Sequence, residues 1–172
     1  MTTAIAPDLA RAQDAFLEQL RPLLATAHRL AYGMLQGSHE AEDAVQEGIF
    51  KAWRARGRLR PGSELRPWFL QIVANECRQR RRSRWWSVLK GADVPQRSAG
   101  DHAAGSDAAA DLGHALRRLS HDQRLALVLR YYLDLPLDEV GRALGVSEQA
   151  AKARVHRALA RLRLEFAGGE DG

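Results

Sequence analysis

The chain has a single cysteine, Cys77, so it holds no internal disulfide and no multi-cysteine zinc site. Its six histidines, His28, His39, His102, His114, His121 and His156, fall without ligand spacing, and neither a metal nor another cofactor is expected. No apolar run approaches the ~20 residues needed to cross a bilayer. The N-terminus also lacks the basic start and apolar core of a secretory signal. A soluble, cytoplasmic protein is the expectation. Strand-like alternation and internal repeats are missing too, which predicts an all-α fold. No Gly-rich phosphate loop and no nucleophile–base constellation is seen, so an enzyme is not expected.

What the chain has is arginine. Among 26 Lys and Arg only Lys51, Lys90 and Lys152 are lysines, and 21 Asp and Glu leave a net charge of +5. Forked guanidinium groups suit phosphates and guanine edges, although a GC-rich coding composition also raises Arg and Ala. The distribution is therefore sharper than the total. From Lys51 to Lys90 twelve Lys and Arg stand against only Glu64 and Glu76, a local charge of +10, with Trp53, Trp68, Phe69, Trp85 and Trp86 interleaved. Arginine beside exposed rings can follow a DNA backbone and stack on unpaired bases. The competing reading buries the rings and merely solvates the arginines. Periodicity supports that reading in part: Phe69, Ile72, Val73, Glu76 and Cys77 mark an inward stripe, while Trp68, Asn75, Arg78 and Arg82 share another face.

Apolar residues at three- and four-residue steps predict a helix over 9–36, with Gly37 as its stop and Ser38 capping the next helix to about Arg56. A third helix is predicted from Ser63 to about Arg84, with Pro67 in its first turn. The stretch 87–111, rich in Gly, Ala, Ser, Asp and Pro, reads as a flexible linker. It divides the chain into two small helical domains, 9–86 and 112–166.

The second domain opens with Ser120 and Gln123 in capping-box spacing. Pro136 then starts a short helix, followed by the tight LGVS of residues 144–147 and a long helix to about Phe166. Gly145 permits a positive backbone angle, Val146 plugs the core and Ser147 caps the next helix, the layout of a helix-turn-helix. Val140, Leu144, Val146, Ala151, Val155 and Leu159 form its inner face. Its outer side presents Ser147, Glu148, Gln149, Lys152, Arg154, Arg157 and Arg161. N-terminal side chains of such a helix reach base edges, and later arginines hold phosphates.

Four carboxylates, Glu40, Glu42, Asp43 and Glu47, crowd HEAEDAVQEGIFKAW at residues 39–53. Asp43, Gln46, Glu47 and Phe50 share one helical face, while Val45, Ile49 and Trp53 share another and are expected in the core. With no complementary ligands nearby, metal binding is set aside. A protein-docking face and an ordinary solvated helix remain open on these residues alone.

Three stretches together resemble the bacterial sigma-70 family, in its extracytoplasmic-function (group IV) branch. They are AEDAVQEGIFKAW and LRPWFLQIVANECRQRRR in the first half, and LSHDQRLALVLRYYLDLPLDEVGRALGVSEQAAKARVHRALARLR in the second. The resemblance implies that 9–86 is like sigma domain 2 and 112–166 like sigma domain 4. It implies that Glu42, Asp43, Gln46, Glu47 and Phe50 bind core RNA polymerase, meeting a basic coiled coil of the β′ subunit. Residues 58–64, including Arg58 and Arg60, with Trp68, Asn75, Arg78, Arg81 and Arg82, would recognise and melt the −10 element. Ser147, Glu148, Gln149, Lys152, Arg154, Arg157 and Arg161 would read the −35 element. Implied partners are core RNA polymerase through β′ and β, promoter DNA and an anti-sigma factor, in the nucleoid. The sequence departs from the family in SEQAAKAR, where Ala150 and Ala153 replace frequent small hydroxyls. Pro136 and Pro67 also stand where a capping Ser and a Thr are common. Two other readings compete: a stand-alone helix-turn-helix regulator, which needs neither the acidic face nor the basic–aromatic segment, and a nucleic-acid enzyme, which lacks its constellation.

Overall fold

The computed structural model describes residues 5–89 and 107–167, and every described element is helical. Helix α1 (Ile5–Leu20) passes through a 3₁₀ turn at 21–23 into α2 (Leu24–Leu35). The break falls at Pro22, which has no N–H to donate to a continuing helix. The single helix predicted over 9–36 is thus two.

Helix α2 ends differently from the sequence expectation. Gln36, not Gly37, takes the left-handed conformation (φ 57°, ψ 31°), and its N–H donates to Tyr32 O at 2.7 Å. The cost of a left-handed non-glycine is offset by the Gln36 side chain, which donates to Gly113 O at 3.3 Å and accepts from Arg117 at 2.8 Å. Gly37 is extended and serves as N-cap for α3 (Ser38–Ala55), so Ser38 is the first helical residue rather than the cap. Helix α4 (Leu65–Leu89) starts two residues later than predicted and runs further.

Of the predicted linker 87–111, residues 90–106 lie outside the described residues, and both flanks are helical. Helix α4 continues through Leu89, and α5 (Asp107–Arg118) begins inside the stretch. Then come α6 (His121–Leu127), a π turn at Val128–Tyr132, α7 (Leu137–Leu144) and α8 (Glu148–Ala167). The capping box at Ser120 forms in both directions, Gln123 N–H to Ser120 Oγ at 3.2 Å and Ser120 N–H to Gln123 Oε1 at 3.0 Å. Pro136 is the N-cap of α7 rather than its first residue.

The halves share one interior. Leu30, Met34, Val45, Phe69, Leu70 and Val73 from the first half form one buried cluster with Leu125, Val128, Leu129, Leu135 and Val140 from the second. A smaller cluster, Leu119, Leu127 and Ala158, closes α5 and α6 onto α8. Two domains joined by a linker is therefore only part of the architecture: α2 and α4 pack on α6, the π turn and α7.

Candidate nucleic-acid and polymerase interface

The turn between α7 and α8 has the predicted geometry. Gly145 sits at φ +68°, and Val146 N–H reaches Gly141 O at 2.9 Å. Ser147 Oγ accepts from Ala150 N–H at 3.2 Å and caps α8. Gly141 is also required sterically, because a Cβ there would lie 2.9 Å from Val146 O. Val140, Ala151 and Val155 are buried and Leu144, Val146 and Leu159 half-buried, so the inner face is as expected. Ser147, Glu148, Gln149, Lys152, Arg157 and Arg161 are exposed along α8, and Arg154 is half-buried. Arg161 pairs one turn on with Glu165 at 2.5 Å.

On α4 the inward stripe holds: Phe69, Val73 and Cys77 are buried and Glu76 is 4% exposed. Lys51 from α3 meets Glu76 at 2.5 Å, which supplies the partner a buried carboxylate needs. Asn75, Arg78 and Arg82 are exposed on the other side, while Trp68 is half-buried against the core. Arg81 is half-buried, its Nη1 makes no hydrogen bond within the protein, and burial lowers its pKa. Arg58 and Arg60 are exposed in the turn before α4. Trp53 is packed against the core, with the Arg56 guanidinium 3.5 Å from its ring centroid. The side chains of Trp85 and Trp86 lie outside the described residues.

On α3, Ala41, Ala44, Val45 and Ala52 face the core, with Gly48 letting α4 approach: a Cβ at Gly48 would lie 2.9 Å from Val73 Cγ2. The opposite side carries Glu42, Asp43, Gln46, Glu47 and Phe50, with Phe50 53% exposed. The Arg54 guanidinium lies 5.6 Å from the Phe50 ring centroid. Asp43 is 3.7 Å from Arg80 of α4. The structure thus gathers the acidic residues on one face and the α4 arginines on another, and the α8 residues along one helix.

Sequence reasoning missed a further set. Arg124 is 2% exposed and donates to Met34 O at 2.7 Å and Leu116 O at 2.8 Å. Asp122 holds Arg78, Glu139 lies 3.4 Å from Arg66, and Arg142 lies 3.2 Å from Glu64. His121 is half-buried beside them, and burial, with Arg78 and Arg81 close by, pushes its pKa down to about 4. A charged residue inside RLALVL was the one available signal. Cys77 is a buried thiol whose pKa burial pushes up to about 12. Among the described residues no three His, Cys, Asp or Glu cluster for a metal, and no helix is long and apolar enough to cross a membrane.

Helices throughout the described residues, with a helix-turn-helix behind a basic, aromatic-bearing first half, define a class: DNA-binding transcription proteins of two parts. Comparison with known proteins narrows it. Residues 13–87 match the model of Sigma-70 region 2, and residues 109–162 match Sigma-70, region 4. The chain is 31% identical over 156 residues to the RNA polymerase sigma factor CarQ of Myxococcus xanthus, covering 88% of this chain and 89% of that protein. It is 34% identical over 136 residues to the ECF RNA polymerase sigma factor SigM of Mycobacterium tuberculosis, covering 78% and 68%. Among solved structures, the sigma factor RpoE of Bartonella quintana, crystallised with the anti-sigma factor NepR, matches with TM-score 0.70 and 30% identity, covering 89% of this chain and 97% of that one. The chain belongs to the sigma-70 family, among its extracytoplasmic-function members. It is an RNA polymerase sigma factor that directs transcription initiation, a regulatory subunit rather than a stand-alone regulator.

Proposed function

We propose that this sigma factor divides its labour among three surfaces. The face of α3 bearing Glu42, Asp43, Gln46, Glu47 and Phe50 docks on a basic surface of core polymerase. The side of α4 bearing Asn75, Arg78, Arg81 and Arg82, with Trp68, Arg58 and Arg60, takes the −10 element. There, binding of unstacked bases offsets an unpairing cost of a few kcal/mol per step. Helix α8 enters the −35 major groove with Ser147, Glu148, Gln149 and Lys152 toward base edges, and Arg154, Arg157 and Arg161 toward phosphates. No covalent step by this chain is required. The observation that carries the reading is the separation of charge: a carboxylate face holding an open phenylalanine on α3, and an arginine face on α4. DNA repels the first and attracts the second, so two different partners are served. An anti-sigma factor is a further partner, in keeping with the RpoE–NepR complex, and the place of action is the nucleoid.

Asp43→Lys with Glu47→Lys should abolish capture of the protein by core polymerase while leaving its helical circular dichroism intact. Undiminished capture would remove the docking role from α3.

A further inference from the structure

We propose that Arg78 and Arg81 of α4, with His121 of α6, form a binding site for a doubly charged tetrahedral oxyanion, the chemistry of a phosphoryl group. The site lies on the seam where α6 and α7 meet α4, and none of the three surfaces described above includes His121. It rests on donors that the chain leaves idle. Both ring nitrogens of His121 and Nη1 of Arg81 are buried atoms that make no hydrogen bond within the protein. Buried polar atoms are costly to strand, and each one in a folded protein points to a missing partner. Arg78 and Arg81 stand three residues apart on α4, so their side chains leave neighbouring positions on one face. Asp122, next to His121, holds Arg78 and so brings the imidazole to that face. Arg78 is exposed on its outer side, which leaves an anion a way in.

The charges around His121 say what the partner is. Arg78 and Arg81 face it from α4, and Asp122 and Arg124 face it from α6. Arg124 already donates to the carbonyls of Met34 and Leu116, and Asp122 is paired with Arg78. Among the described residues no carboxylate pairs with Arg81, although burial already disfavours its charge. Three guanidinium groups thus stand against one carboxylate in a half-buried place. A water molecule would satisfy the idle donors but leave that imbalance, whereas an oxyanion answers both. Its oxygens can accept from both arginines and from the imidazole at once, in charge-assisted hydrogen bonds. The arginines oppose a proton on His121, and a bound anion favours one. Binding and protonation are therefore linked: affinity should rise as pH falls, and the imidazole should titrate higher in the complex.

Sulfate is the probe for this linkage, because it keeps both its charges from pH 5 to pH 8. It is titrated into the full chain at constant ionic strength, chloride making up the difference, and followed by NMR of the histidine rings. His121→Leu assigns the resonance. Saturating sulfate should raise the His121 midpoint by about two pH units, the usual effect of a close opposite charge. By linkage, sulfate should then bind about 10-fold more tightly at pH 5 than at pH 8. A midpoint that sulfate leaves in place, or an affinity indifferent to pH, overturns the site and gives the idle donors to water. Arg81→Gln should weaken sulfate at least about 10-fold, the loss of a hydrogen bond to a charged group. Unchanged affinity in that variant would mean an adventitious ion only, held by exposed arginines, and also overturns the site. Inorganic phosphate and adenosine 5′-monophosphate, both dianions at pH 8, separate the sources of the phosphoryl group. Equal affinities assign the site to a free anion and tighter binding of the monophosphate to a nucleotide, while binding of neither overturns the assignment.

Discussion

Lowering the pH should destabilise this protein through His121 in a window set by one imidazole. His121 opens α6, half-buried at the seam, and neither ring nitrogen makes a hydrogen bond within the protein. The groups facing it are Arg78 and Arg81 from α4 and Asp122 and Arg124 from α6, three cations against one carboxylate. Burial first, and the arginines second, hold its pKa at about 4 against an ordinary 6.5. The unfolded chain then binds a proton as pH falls below about 6.5, whereas the folded chain does not until about 4, so stability rises with pH between those values and is lost on acidification. At roughly 1.4 kcal/mol per unit of separation, moving from pH 7 to pH 5 costs about 2 kcal/mol from this residue alone. Urea unfolding followed by circular dichroism at pH 7, 6 and 5 measures it, with His121→Leu as the reference that cannot titrate. Wild type should lose about 2 kcal/mol more than the variant over that interval. Parallel losses in the two proteins would show that His121 titrates normally in the folded state and would refute the account.

Two further outcomes follow from buried groups of the first half. Lys51→Met removes the cation 2.5 Å from Glu76, whose side chain is 5% exposed, and should lower stability by about 3 kcal/mol, the usual cost of stranding a buried charge. Glu76→Met added to it should recover most of the loss in thermal unfolding, and an unchanged melting temperature in the single variant would mean that Glu76 finds another partner. Cys77, with its thiol pushed up to about 12, should resist iodoacetamide at pH 8 in the folded protein and react quickly in urea. Alkylation at equal rates, read by mass spectrometry, would show that the thiol is accessible in the folded protein.

What was legible in the sequence was local. Gly145 and Ser147 specify a turn and a cap within four residues, and Ser120 with Gln123 specifies a helix start, so their geometry follows from short-range chemistry alone. Outward faces were legible for the same reason: helical periodicity separates Asn75, Arg78 and Arg82 from Phe69, Val73 and Cys77 without knowledge of the neighbours. Periodicity says that Leu125, Val128 and Leu129 are buried, but not against what. Those residues complete a core with α2 as well as with their own half, and the Gly- and Ala-rich stretch at 87–111 concealed that closeness. Gln36 makes the same point on a smaller scale. Glycine was the local choice for a left-handed residue, and contacts with Gly113 and Arg117 in the other half overruled it.

The placement of the seam bears on the order of events in initiation. Asp43, on the carboxylate face of α3, pairs with Arg80 of α4 in its own half, and Phe50 beside it is open. Arg78 and Arg66, by contrast, are held by Asp122 and Glu139 of the second half. With the halves packed together, Phe50 on α3 therefore stays open, while Arg78 and Arg66 of α4 are paired with carboxylates of the second half. On the surfaces proposed above for α3 and α4, docking on polymerase leaves these pairs intact, whereas promoter binding at Arg78 breaks its pair with Asp122. A partner that binds the halves apart more tightly than together shifts the population by its differential affinity and no more.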